Sequence, residues 1–223
     1  MTKDELDRGQ VDGVTTIWTE APPPLRAGLL FRTGMIDETL ARAGYTHLIE
    51  HLALSTLGDT SKHDNGFVTG AAAGFFTMGQ PEDVASFFAR VCDGLTSLPG
   101  DRLEGVKQLL AAEIAGRPFN SNSNLLMWRY GAAGYGLMGL PQLGFRRATL
   151  EQLQEYGSQR FTKENAVLWL SGPPPTGLSL RLPHGAKQPL PPLVPLRQAF
   201  PSWFCDDAHR GAAAGWPAVP PRR

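Results

Sequence analysis

Apolar positions in this chain alternate between short extended runs and longer stretches at helical spacing. Val14 to Trp18 and Leu25 to Arg32 read as strands, separated by the break at Pro22-Pro23-Pro24. Thr33 to Glu38 is a turn. A helix follows over about Gly44 to Leu54, with Leu48, Ile49 and Leu52 as its apolar face. Residues 58–66 are polar and loop-like. Phe67 to Met78 reads as strand material with a bend at Gly74. Pro81-Glu82-Asp83 then opens a helix to about Leu98, in which Val84, Phe87, Phe88, Val91, Cys92 and Leu95 recur at helical spacing. Arg102 to Gly116 predicts another helix, with Leu103, Val106, Leu109, Leu110 and Ile114 as its stripe. Asn120 to Leu143 is helical in parts, interrupted at Gly131, Gly134, Gly136 and Gly139. Thr149 and Gln152 have capping-box spacing and start a helix to about Phe161. Asn165 to Ser171 reads as a buried strand. This order predicts an α+β fold, a mostly antiparallel sheet covered by helices. After Gly172 the periodicity fades, and prolines crowd the remaining chain.

Composition narrows the function classes. The chain has 223 residues, 42% of them hydrophobic, enough for a sizeable core. Its formal net charge is zero, with no basic stripe for nucleic acid and no polybasic amphipathic segment for a membrane surface. The first ten residues are polar and lack a signal-peptide core, and no apolar run could span a bilayer, so the expected location is the cytoplasm. The cysteines, Cys92 and Cys205, are far apart and lack metal-ligand spacing. Cys92 falls in an apolar helical pattern and reads as a small core residue.

The strongest chemical signal is His47-Leu48-Ile49-Glu50-His51. Residues i and i+4 of a helix are stacked neighbours, so both imidazoles can reach one metal ion. Glu50 borders that face and can reach a metal-bound water without ligating the metal. The order inverts the H-E-x-x-H zinc motif. The plainer reading is a pair of surface histidines around a solvated glutamate. Catalytic zinc usually takes three protein ligands, so a third should come from another element. Glu113 is the best candidate: it interrupts the apolar stretch Leu109 to Ile114, where burial would be costly without a partner. Residue by residue, an exposed polar helix face explains Glu113 equally well. His63, His184 and His209 lie in polar or proline-rich stretches and read as surface residues.

These residues resemble the pitrilysin/insulinase family of zinc peptidases, which includes the mitochondrial processing peptidases. Gly34 to Glu38 is similar to the family's Gly-x-x-x-Glu turn, and Gly44 to Leu52 to its G-x-x-H-x-x-E-H helix. Leu109 to Ile114 resembles the helix with the distal zinc glutamate. Gly134-Tyr135-Gly136 and Thr149 to Leu170 resemble the end of one family domain. The resemblance implies a peptidase-like zinc domain over residues 11–172, of the single N-terminal type. It leaves 173–223 as a proline-rich linker or tail, or the truncated start of a second domain. It implies Zn2+ held by His47, His51 and Glu113, with Glu50 activating a zinc-bound water as general base to hydrolyse peptides or unfolded segments. Asn65-Gly66 is the nearest match to the family's substrate-binding strand, with Phe67 to Phe76 as the candidate edge strand onto which a peptide could add, so Asn65, Gly66 and Phe67 are the candidate substrate-binding residues.

Four departures qualify this. The interval from His51 to Glu113 is short. Val106 stands where the family often has a supporting glutamate. Asn65-Gly66 replaces Asn-Ala. A second, cleft-closing domain is missing, so a homo- or hetero-oligomeric partner would have to supply it. The alternative is a non-catalytic or truncated family member, a structural or peptide-binding subunit of a heterodimeric peptidase.

Overall fold

The structure is a computed structural model that describes residues 6–58, 63–116, 121–196, 202–206 and 211–215. Strands β1 (Asp7–Val11), β2 (Val14–Trp18), β3 (Leu25–Phe31), β4 (Asn65–Val68), β5 (Ala73–Gly79) and β6 (Ala166–Leu170) form one sheet, ordered β1-β2-β6-β3-β5-β4. β2 and β6 pair in parallel; every other pairing is antiparallel. The observed class is therefore the α+β one expected.

Side chains alternate across this sheet as the pleat requires. In β6, Ala166, Leu168 and Leu170 are buried, whereas Val167 is exposed. Leu29, Phe31 and Phe75 lie on the same inner face and are almost fully buried. Helices α1 (Tyr45–Ser55) and α2 (Pro81–Thr96) pack against that face, and α3 (Leu103–Ala115) and α5 (Leu150–Ser158) pack on α1 to extend the same core. α2 begins with Pro at its first turn and Glu82 and Asp83 just inside, which suits the positive end of a helix. Its Val84, Phe87, Phe88, Val91, Cys92 and Leu95 are all buried. α5 starts at the Thr149/Gln152 capping box, with both reciprocal bonds made. α4 (Ser121–Tyr130) precedes a 3-10 turn at Gly134–Gly139, matching the mixed character of this stretch.

Several expectations are corrected. β1 is a polar edge strand, DRGQV, without an apolar alternation to betray it. The segment 67–78 is not one bent strand. Its chain reverses at Thr69–Ala72, where the Thr69 N–H donates to the Ala72 carbonyl at 2.8 Å, and so makes the β4–β5 hairpin. Leu109 is 59% exposed and does not belong to the core stripe of α3; Leu103, Val106 and Leu110 do. Packing also continues past residue 172. Leu178, Leu180 and Leu182 are buried in the same core, and the Lys163 N–H donates to the Pro183 carbonyl at 3.0 Å. Asn165 ties this segment down: its amide donates to the carbonyls of Arg32 and Arg160, and its oxygen accepts from the Gln188 N–H. Farther on, β7 (Ser202–Asp206) pairs with β8 (Gly211–Gly215) in a separate hairpin. The side chain of Cys205 and all of His209 lie outside the described residues.

Candidate metal centre

α1 is buried on nearly all sides: Tyr45 through Glu50, Leu52 and Ala53 are inaccessible. Its first turn has no side-chain cap of its own. Glu38 supplies one from the preceding turn, its carboxylate accepting from the Gly44 and Thr46 N–H groups, each at 2.8 Å. Burial pushes the Glu38 carboxyl up to about 7, against the pull of these two amides. Thr46 is bonded to the Tyr156 hydroxyl at 3.0 Å, and Tyr45 donates to Gln152. The helix is thus fixed in rotation, with His47 and Glu50 carried inside.

Two imidazoles and a carboxylate converge from α1 and α3. His47 Nε2 and His51 Nε2 are 3.2 Å apart. Glu113 reaches both, at 3.6 Å from His47 Nε2 and 3.1 Å from His51 Nε2. On α3, Glu113 continues the core-facing line of Val106 and Leu110, which turns it toward α1. Its side chain is 40% exposed, so the site opens to solvent on that side.

Glu50 lies on the closed side. Its carboxylate is 3.6 Å from His51 Nε2, and its side chain is only 4% exposed. Burial first, and the Glu113 charge second, push the Glu50 carboxyl up to about 8; a cation at the histidines would pull it back down. Ligand atoms of His47, Glu50 and His51 lie within 4.8 Å of one another, so either carboxylate is near enough to be a ligand. Glu113 suits ligation better, because it bridges both Nε2 atoms, whereas Glu50 meets only His51.

The donor set fits zinc. Two nitrogens at the zinc–nitrogen distance on a tetrahedral ion stand about 3.3–3.4 Å apart. The two Nε2 atoms match this spacing. Two imidazoles and a carboxylate with an open fourth side form the ligand pattern of a catalytic rather than a structural zinc site.

Asn65, Gly66 and Phe67 lie on β4, the end strand of the sheet beside α1. A Cβ built on Gly66 would overlap the Glu50 carboxyl, so this strand passes directly against the candidate base. Phe67 turns to the other face, over Gly74 and toward Phe76. His63 and His184 are exposed, and His184 Nδ1 is 2.6 Å from Glu164. Sequence reasoning missed Gln142, which meets His47 Nδ1 at 3.3 Å, and the capping role of Glu38. An acidic residue just ahead of a helix start is a usable signal for Glu38; nothing local to Gln142 marks it.

No protein-family model matches the sequence, and no curated protein matches it significantly. Solved structures do resemble the fold. Complex III from Candida albicans has a chain with TM-score 0.67 and 17% identity, aligned over 86% of this chain and 50% of that one. A protease from Helicobacter pylori gives TM-score 0.65 at 13% identity, over 86% of this chain and 54% of its own. An inactive peptidase domain from Pseudomonas fluorescens gives 0.61 at 15%, over 82% and 52%. The chain therefore spans about half the length of these structures. Their likeness shows that this chain shares the fold of these peptidase and complex III chains.

Proposed function

We propose that this chain is a subunit or half of a zinc metalloendopeptidase that hydrolyses peptides or unfolded segments. The observation that carries this reading is the meeting of His47 Nε2, His51 Nε2 and the Glu113 carboxylate within 3.1–3.6 Å, with the Glu50 carboxyl buried beside them. His47, His51 and Glu113 would hold the metal. Zinc bound there supplies a Lewis acid that polarises the scissile carbonyl and makes water a better nucleophile at neutral pH. Glu50 takes the proton from the attacking water and delivers it to the leaving amine nitrogen. Asn65, Gly66 and Phe67 offer the outer edge of β4, the end strand of the sheet among the described residues, to an extended peptide backbone, which would lie across the mouth of the site.

The proposal includes a partner, another copy or another subunit, that supplies the second domain. Support comes from the likeness to a chain of complex III and from the sheet's outer face. That face leaves Leu30, Phe76 and Val167 at 36%, 41% and 37% exposure, an apolar patch of the kind found at interaction sites.

A second reading, a non-catalytic structural or peptide-binding subunit, is favoured by Val106 in place of a supporting glutamate and by the resemblance to an inactive domain. The test is a mass-spectrometric digest of an unfolded protein by the zinc-loaded chain. Cleavage that disappears on chelation, returns with zinc, and falls about 10²–10⁴-fold in Glu50→Gln supports the peptidase. Cleavage surviving in Glu50→Gln would overturn the assigned base. Stoichiometric zinc without any cleavage would favour the non-catalytic subunit.

A further inference from the structure

The buried histidine of this site takes its support from outside α3. Val106, a buried valine, offers it no hydrogen bond. His47 Nδ1 instead faces Gln142 Oε1 at 3.3 Å, from a segment 95 residues away. Both residues are buried, each at 6% exposure. On its other side, the Gln142 amide nitrogen donates to the Met35 sulfur at 3.2 Å. A thioether accepts and cannot donate, so it takes the NH2 end and leaves the carbonyl oxygen turned to His47. An oxygen facing Nδ1 makes that nitrogen the proton carrier. In the neutral ring the lone pair then sits on Nε2, the atom that meets His51 and Glu113.

The backbone around Gln142 is fixed by unrelated contacts. Phe145, 1% exposed, donates its N–H to the Ala43 carbonyl at 3.1 Å. Gly44 has φ +95, and a Cβ there would stand 3.2 Å from the Gln142 Cβ and 3.0 Å from the Phe145 ring. Its missing side chain lets residues 142–145 close onto the first turn of α1.

We infer that Gln142 is a positioning residue of the metal site: its carboxamide oxygen accepts the Nδ1 proton of His47 and holds the imidazole in the tautomer and orientation that aim Nε2 at the metal. The inference rests on the zinc reading above. Gln142 touches no reacting atom and acts through His47. Outer partners of this kind change metal affinity by about 10–100-fold when removed.

The experiment compares the wild-type chain with Gln142→Met, which keeps the volume and loses the strong acceptor, and Gln142→Glu, which keeps an acceptor. Zinc affinity is read by competition with a chromogenic chelator, and the His47 tautomer by 15N NMR of the metal-free protein. The expected result is an Nδ1–H tautomer in the wild type that is lost in Gln142→Met. Zinc affinity should fall about 10–100-fold in Gln142→Met and be restored in Gln142→Glu. Unchanged affinity and tautomer in Gln142→Met would overturn the inference. So would an equal loss of affinity in both variants, which would mark a packing role. A wild type that binds no zinc would defeat the zinc reading, and the tautomer comparison alone would then decide whether Gln142 positions His47.

Discussion

Glu50 keeps its carboxyl beside the histidines because Gly66, on the adjacent strand, has no side chain. A methyl group there would occupy the space the carboxyl now fills. Gly66→Ala should therefore displace Glu50 while leaving His47, His51 and Glu113 in place. The expected outcome is zinc binding near the wild-type level, a stability loss of about 1–3 kcal/mol from overpacking, and a drop in peptide hydrolysis. Full hydrolysis by Gly66→Ala would show that Glu50 needs no such fit. The residues of this centre differ in how far they announce themselves. His47, Glu50 and His51 are legible because helix geometry turns a spacing of four into a shared face. Glu113 is legible as a polar interruption in an apolar run, though its partner is not. Gln142 is silent in sequence: it comes from an irregular segment, where no period says which way a side chain points.

The elements show the same division. α2 and α5 could be read from apolar spacing and a capping box, because those signals are local. β1 could not, because an edge strand exposed at all but its last residue has no alternation to read. α1 owes its start to Glu38, and that contact has a pH signature. The Glu38 carboxyl binds its proton below about 7 in the fold, but only below the ordinary 4.5 when unfolded. Between those values the folded chain holds the extra proton, so the contribution is fully present below 4.5 and is lost as pH rises through 7. A shift of this size corresponds to roughly 3 kcal/mol. Urea unfolding of wild type and Glu38→Gln across pH 4.5–7.5 should show the wild type losing stability relative to the variant by that order. A flat difference would mean that the two amides hold Glu38 as an ordinary carboxylate.

Taken whole, the molecule extends its core into the stretch where the prolines cluster. Leu178, Leu180 and Leu182 alternate like a strand but lie among residues whose composition suggests an open tail, so the burial was hidden by the surrounding sequence. Leu180 is fully buried, and Leu180→Ala should cost about 2–5 kcal/mol in urea unfolding. A cost below about 0.5 kcal/mol, the size of an ordinary surface change, would mean that this segment is not part of the folded unit. Among the described residues no helix is long and apolar enough to cross a membrane. Among the described residues, the apolar outer sheet face and the solvent side of the histidine site are where the proposed second half would act. Elemental analysis for zinc in the purified wild type and Glu113→Gln comes first. One zinc per wild-type chain, falling sharply in Glu113→Gln, is the predicted result. A wild type that retains almost no zinc, or a Glu113→Gln chain that holds as much as the wild type, would contradict the metal centre assigned to His47, His51 and Glu113.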